Sequence, residues 1–225
     1  MSGNALRMRL RQVGGVLVDL PVFLTSPIYR RWHTGWGASS EEVRARMPGD
    51  DRLPGAQFCA TRAITIAAPP ARVWPWLVQI GCRRAGWYSH DLLDNGGLPS
   101  ATSIEPAWQD LHVGQWVPMT STSPTERTAF SVDSFVAECW LLWTKPDSTW
   151  AWQLTHSSDG GTRLVNRIRA VHDWHAPLSA LLSVVLLEFG DFAMNRRMMR
   201  GIKSRAESLV SGPVAGVSSV EGVST

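Results

Sequence analysis

Cysteine is nearly absent. The three in 225 residues, Cys59, Cys82 and Cys139, share no metal or redox spacing. That excludes a disulfide framework and fits a reducing compartment, with the thiols as packing residues. No glycine-rich phosphate loop, nucleophile elbow or CxxC pair occurs, so the usual nucleotide-loop, hydrolase and redox signatures are missing. Charge is sparse, at 18% of residues and a net +3, with no dense basic block; no nucleic-acid partner is expected. His33, His112, His156, His172 and His175 show no convincing ligand spacing, so neither a metal nor another cofactor is expected. Long apolar runs are also missing. Arg7, Arg9 and Arg11 precede an apolar stretch from Val13 to Leu24, but Asp19 and Pro21 interrupt it and no clear cleavage site follows. The stretch reads as too short to span a bilayer. Residues 1–36 are expected to dock on the parent domain or to lie on a membrane surface.

Tryptophan is what the chain has in surplus: twelve, against two tyrosines. A soluble core rarely needs so many large rings, which points to a cavity or an interface lined by them. At 44% hydrophobic residues the chain is globular, and its length gives one domain with appendages.

Ser39 or Ser40 can cap a short helix whose first turn holds Glu41 and Glu42; Pro48-Gly49-Asp50-Asp51 then ends it. Thr61 to Ala67 alternates as a strand, with Arg62, Ile64 and Ile66 on one side. Pro69-Pro70 stops it, and Ala71 to Ile80 reads as a short helix with Gly81 as its cap. A second short helix is expected over Ser89 to Leu93. Strands come next over Val113–Met119, Arg127–Phe135 and Cys139–Thr144. The hairpin Thr149–Thr155 and Thr162–Val171 turns through Ser158-Asp159-Gly160-Gly161. A long helix runs from about Pro177 to Leu209, with Arg196, Arg197, Arg200, Lys203 and Arg205 in its second half. One long helix must then cover one face of an antiparallel sheet.

That order, with the segments Thr61-Arg62-Ala63-Ile64-Thr65-Ile66, Ala68-Pro69-Pro70-Ala71-Arg72-Val73-Trp74-Pro75-Trp76-Leu77 and Gly160-Gly161-Thr162-Arg163-Leu164, resembles the SRPBCC or START-like superfamily, which includes polyketide cyclases and lipid-transfer domains. The resemblance covers roughly residues 58–209. It implies an α+β helix-grip fold: a curved antiparallel sheet wrapped around a long C-terminal helix, with two short helices after the first strand. Arg31-Trp32-His33-Thr34-Gly35-Trp36-Gly37-Ala38, Met47-Pro48-Gly49-Asp50 and Gly86-Trp87-Tyr88-Ser89-His90-Asp91 are similar to a bacterial subgroup without an established activity. By the same resemblance, Trp87, Tyr88 and His90 lie near a cavity mouth.

Further candidates come from the residues themselves. On the long helix Leu181, Val185, Phe192 and Met199 share a stripe at 100° per residue. Glu188 and Asn195 lie on it too. A carboxylate facing a core needs a partner or a wet cavity. With a four-residue turn, Trp152 lies opposite Arg167 and Trp150 opposite Arg169. Two readings stand for these arginines: an outer face with cation–π stacking, or a buried site where one of them pairs with Glu188 as a polar anchor.

The domain plan is an N-terminal extension over residues 1–57, a ligand-binding domain over 58–210, and a disordered tail over 211–225. The function expected is binding of a small hydrophobic or amphipathic ligand in an internal cavity between sheet and C-terminal helix. A polyketide cyclase-like enzyme is the alternative. A third reading is a peripheral membrane or partner-docking protein acting through residues 1–36. The expected location is cytoplasmic, with or without membrane association.

Overall fold

Residues 3–208 are described by a computed structural model; the expected tail over 211–225 lies outside them. The chain opens with α1 (Gly3–Thr25), which passes through a 3-10 turn (Ser26–Tyr29) into α2 (Arg30–Thr34). Together they make one helical run of 31 residues from Asn4 to Thr34, long and apolar enough to cross a membrane by length and composition. That corrects the expectation of a segment too short to span. Asp19 and Pro21 do not end the run, because Pro21 sits on an exposed turn and Asp19 finds partners on the inner face.

α3 (Ser40–Arg44) begins at the expected serine. Ser39 accepts from the Glu42 amide, and the Glu42 carboxylate accepts from the Ser39 amide, a reciprocal capping box. The sheet then starts with β1 (Phe58–Ile66). After it come α4 (Pro70–Val78) and α5 (Asp91–Asp94), the two short helices of the expected plan. The remaining strands are β2 (Trp116–Pro118), β3 (Ala129–Val136), β4 (Trp140–Lys145), β5 (Ser148–His156) and β6 (Thr162–Ala170). All neighbours are antiparallel, in the order β1-β6-β5-β4-β3-β2. The chain closes with α6 (Pro177–Val185), a π turn (Leu186–Gly190) and α7 (Asp191–Ser208). A curved sheet gripping a long C-terminal helix is the helix-grip fold, as expected.

The inner face of the sheet holds the main core. Leu154, Leu164 and Ile168 pack there with the rings of Trp143, Trp150 and Trp152, beneath Met198, Met199 and Ile202 of α7. A second, smaller core lies on the outer face, where Met47 from the segment after α3 packs on Ala63, Leu142, Ala151 and Val165. The strands are therefore buried on both faces, and part of the N-terminal extension acts as a strap across the sheet. Gly37 begins that strap at φ +70°, and a Cβ there would collide with the Ala63 carbonyl. Only glycine combines that backbone with that approach. Gly37→Ala is expected to destabilise by at least about 1–2 kcal/mol, the usual cost of the left-handed region. Limited proteolysis should then cut residues 38–53 faster than in wild type.

Two register details correct the expected placements. His156 pairs with Thr162, so the hairpin loop runs from 157 to 161 and is one residue longer than expected. Trp152 therefore lies opposite Asn166, and Trp150 opposite Ile168. Arg167 and Arg169 move to the outer face with Ala151 and Thr149, because a one-residue slip turns every side chain over. The second detail is the π turn. Its extra residue rotates the faces of α6 by about 100° relative to those of α7. Phe192, Asn195 and Met199 are buried, whereas Leu181 and Val185 are exposed.

Candidate functional site

Six of the ten expected site residues lie in the interior or at its rim. Trp87 stacks on Trp150 at 5.7 Å between ring centroids, and Trp150 on Trp152 at 5.3 Å. Trp143 meets all three edge-on. The rings thus pack on one another beneath α7. Their apolar faces suit the core, but the indole N–H groups of Trp76, Trp87, Trp143, Trp150 and Trp152 find no acceptor among the described residues. Such groups are costly to bury unpaired. Tyr88 lies beside this stack. Its hydroxyl donates to the Trp76 carbonyl at 3.1 Å and accepts from Gln79 at 2.9 Å. Burial pushes that phenol well above its ordinary range.

Phe192 and Asn195 belong to a polar cluster at the α2 side of the interior. Asn195 accepts from Asn166 at 3.1 Å. Phe192 touches Trp32, His33 and Trp36 and carries the Arg62 guanidinium 5.4 Å from its centroid. A buried arginine–carboxylate pair does exist, but its members are Arg62 and Asp191, 2.6 Å apart. Arg62 shares the inner face of β1 with Ile64 and Ile66. That parity is visible in the sequence and is the signal that could have found the pair.

The expected anchor between Glu188 and Arg167 or Arg169 is corrected by this geometry. Glu188 takes a hydrogen bond from Arg30 at 2.8 Å and lies 3.8 Å from the buried His33 ring. Burial, with the nearby Arg62 charge, lowers the His33 pKa. Arg167 holds the strap instead. It donates to Thr61, to the Glu42, Val43 and Ala45 carbonyls, and to Asp50 at 2.7 Å. Arg169 donates to the Leu53 carbonyl at 3.2 Å. Both arginines are structural clamps on the outer face.

A cleft of about 620 Å³ opens between α1, the loop 88–100 and the face of α7 turned away from the sheet. Its walls include Met8, Arg11, Ser89, Arg197, Ser204 and Arg205. The close packing of loop on helix depends on Gly201, where a Cβ would strike the Tyr88 carbonyl. Arg205 sits at the floor. Its guanidinium donates to the Ala101 and Gly201 carbonyls at 2.8 and 3.2 Å and lies 4.4 Å from the Tyr88 centroid. Among the described residues no carboxylate lies within ion-pair distance of it, and burial lowers its pKa. The nearest acid, Asp91, accepts from Ser100 at 2.5 Å. Arg197 donates to the Ser89 carbonyl and to Asp19. His90, the remaining expected residue, is buried with Nε2 3.1 Å from Asp19 and its ring against Phe23. Burial and the Arg197 charge hold His90 below the ordinary histidine range. His90 therefore helps seat α1 on the domain. Among the described residues no three His, Cys, Asp or Glu side chains gather as a metal site.

No family model and no curated protein matches the chain. Solved structures align loosely. A protein from Nitrosomonas europaea gives a TM-score of 0.44 at 15% identity, over 69% of this chain and 97% of its own. One from Rhodobacter sphaeroides gives 0.43 at 16%, over 69% and 96%. A polyketide-cyclase-like protein from Corynebacterium glutamicum gives 0.35 at 17%, over 71% and 90%. At this distance the helix-grip assignment rests on the chain's own sheet order and C-terminal helix.

Proposed function

We propose that the protein binds an amphipathic ligand with an anionic head in the cleft between α1, the loop 88–100 and α7. The observation that carries this is Arg205: a cation held in place by carbonyls and an aromatic ring, with no carboxylate within ion-pair distance among the described residues, Asp91 in the same cleft being engaged by Ser100. Arg11 and Arg197 add positive charge along the same cleft, and Met8 supplies an apolar wall. A guanidinium fixed this way is pre-organised for a carboxylate or phosphate, and the thioether side suits an alkyl chain. The START-like resemblance supports the same class of ligand. It also implies a cyclase-like enzyme, but the cleft favours binding: four arginines line it, and His90 is turned to Asp19 rather than poised as a base.

The test compares a long-chain fatty acid with the alcohol of the same chain length, titrated into the full chain and followed by calorimetry. The acid is expected to bind and the alcohol to bind more weakly. Arg205→Gln should weaken the acid about tenfold or more, as expected for loss of a charge-assisted hydrogen bond. The alcohol should be nearly unaffected. Equal binding of acid and alcohol, or an unchanged affinity in the variant, would refute the reading.

A further inference from the structure

We infer that the outward faces of α1 and α6 seat this protein in the plane of an anionic lipid bilayer. The proposal is independent of the cleft. Leu6, Leu10, Val13, Leu17, Leu20 and Leu24 recur at alternating steps of four and three, which puts them on one stripe of α1. Each is between 41% and 62% exposed. On α6, Leu178, Leu181, Leu182 and Val185 form a second stripe, with Leu178 84% exposed. Both elements border the same π turn of the C-terminal helix. So much exposed apolar surface needs a cover.

The opposite face of α1 is tied down. Gln12 donates to the Gly97 carbonyl at 3.0 Å, and Asp19 takes Arg197 at 3.0 Å and lies 3.1 Å from His90. These ties hold the helix flat on the domain, so its length is used along the surface rather than across the bilayer. Charge then selects the cover. Arg7 and Arg9 stand at one end of the stripe and Arg31 at the other, beside Arg30, which is paired with Glu188. Asp19, turned inward, is the single acid between residues 3 and 34. Exposed Tyr29, Trp32 and Trp174 supply the rings that favour a headgroup boundary. A lipid face ringed by arginine and tryptophan is the pattern of an interfacial helix.

A second copy of the chain is the rival cover, since steps of four and three also make a coiled-coil seam. Such a seam pairs acids with bases along its flanks. Here both ends of the run carry arginine and no acid of α1 faces outward, so parallel and antiparallel copies would each set arginine against arginine. The apolar surface is also broader than a seam, because Val18 (77% exposed) and α6 extend it.

The experiment is flotation of the full chain with phosphatidylcholine vesicles, with and without phosphatidylglycerol. Binding is expected with the anionic vesicles and about tenfold or more weaker without them, falling with salt. Leu17→Gln combined with Leu24→Gln should lower binding about tenfold or more. Both side chains are exposed, so the melting temperature should not move. Arg205→Gln should float like wild type, which separates this proposal from the cleft. Alkaline carbonate should release the protein, as it does an in-plane helix. Resistance to carbonate would overturn the in-plane geometry. Wild type that fails to float with anionic vesicles would overturn the proposal. So would a lipid-free dimer in light scattering that the same double variant breaks.

Discussion

Asp191→Ala is expected to lower the unfolding free energy by about 3–5 kcal/mol, the range for removing one partner of a buried ion pair. The Arg62 side chain is fully buried. It donates to the His33 carbonyl at 2.8 Å and to Asp191 at 2.6 Å, while Nη2 has no partner among the described residues. Without the carboxylate, a full charge would remain in the core with one carbonyl and one aromatic face for company. Urea denaturation of Asp191→Ala measures the loss. Arg62→Met in the same chain should recover a large part of it, because an apolar replacement leaves no orphan charge. A change below about 0.5 kcal/mol, the level of an ordinary surface substitution, would show that the pair does not hold α7 to β1.

The legibility of the fold in the sequence can be traced residue by residue. The strand alternation of β1, β5 and β6 and the two short helices after β1 come from local pattern, and pattern is enough for the fold. The site is harder, because it depends on phase. Ser157 and Gly161 close the β5–β6 loop with a backbone hydrogen bond of 3.0 Å, and Gly160 adopts φ +79°. A turn of four residues and one of five are both compatible with Ser-Ser-Asp-Gly-Gly. That single residue decides whether Arg167 faces Trp152 or the strap. Likewise, residues 178–189 are apolar nearly all round, so no sequence period marks where the π turn shifts the helix face. The long N-terminal helix is hidden for another reason: a proline and an aspartate read as breakers, whereas tertiary partners before α5 and on α7 hold Asp19 in place. The cleft combines α1, a loop and α7, segments about eighty or more residues apart, and no spacing rule joins them.

Asp94→Asn is expected to make the protein more stable than wild type above about pH 7, by up to roughly 4 kcal/mol, taking 1.36 kcal/mol for each unit of pKa difference. Asp94 is buried at the end of α5, and neither carboxylate oxygen has a hydrogen-bond partner among the described residues. Burial, with the Asp91 charge beside it, pushes its pKa up to about 7 from an ordinary 3.8. The folded state therefore keeps a proton that the unfolded chain releases between about pH 4 and 7. In that window the native state binds more protons, so this group's contribution to stability falls as pH rises and levels off above about 7. Other groups work the opposite way. His33 and His90, with lowered values, cost stability as pH falls below the ordinary histidine range. Glu42 and Glu207, also lowered, lose theirs as pH falls through their folded values. The wild-type profile is thus a sum of opposed slopes, and the difference between wild type and Asp94→Asn isolates one of them. That difference should be small near about pH 4, grow through about pH 6, and be constant beyond about pH 8. Chemical denaturation at several pH values measures it. Parallel curves across the whole range would mean that Asp94 ionises as an ordinary carboxylate, with water reaching the end of α5.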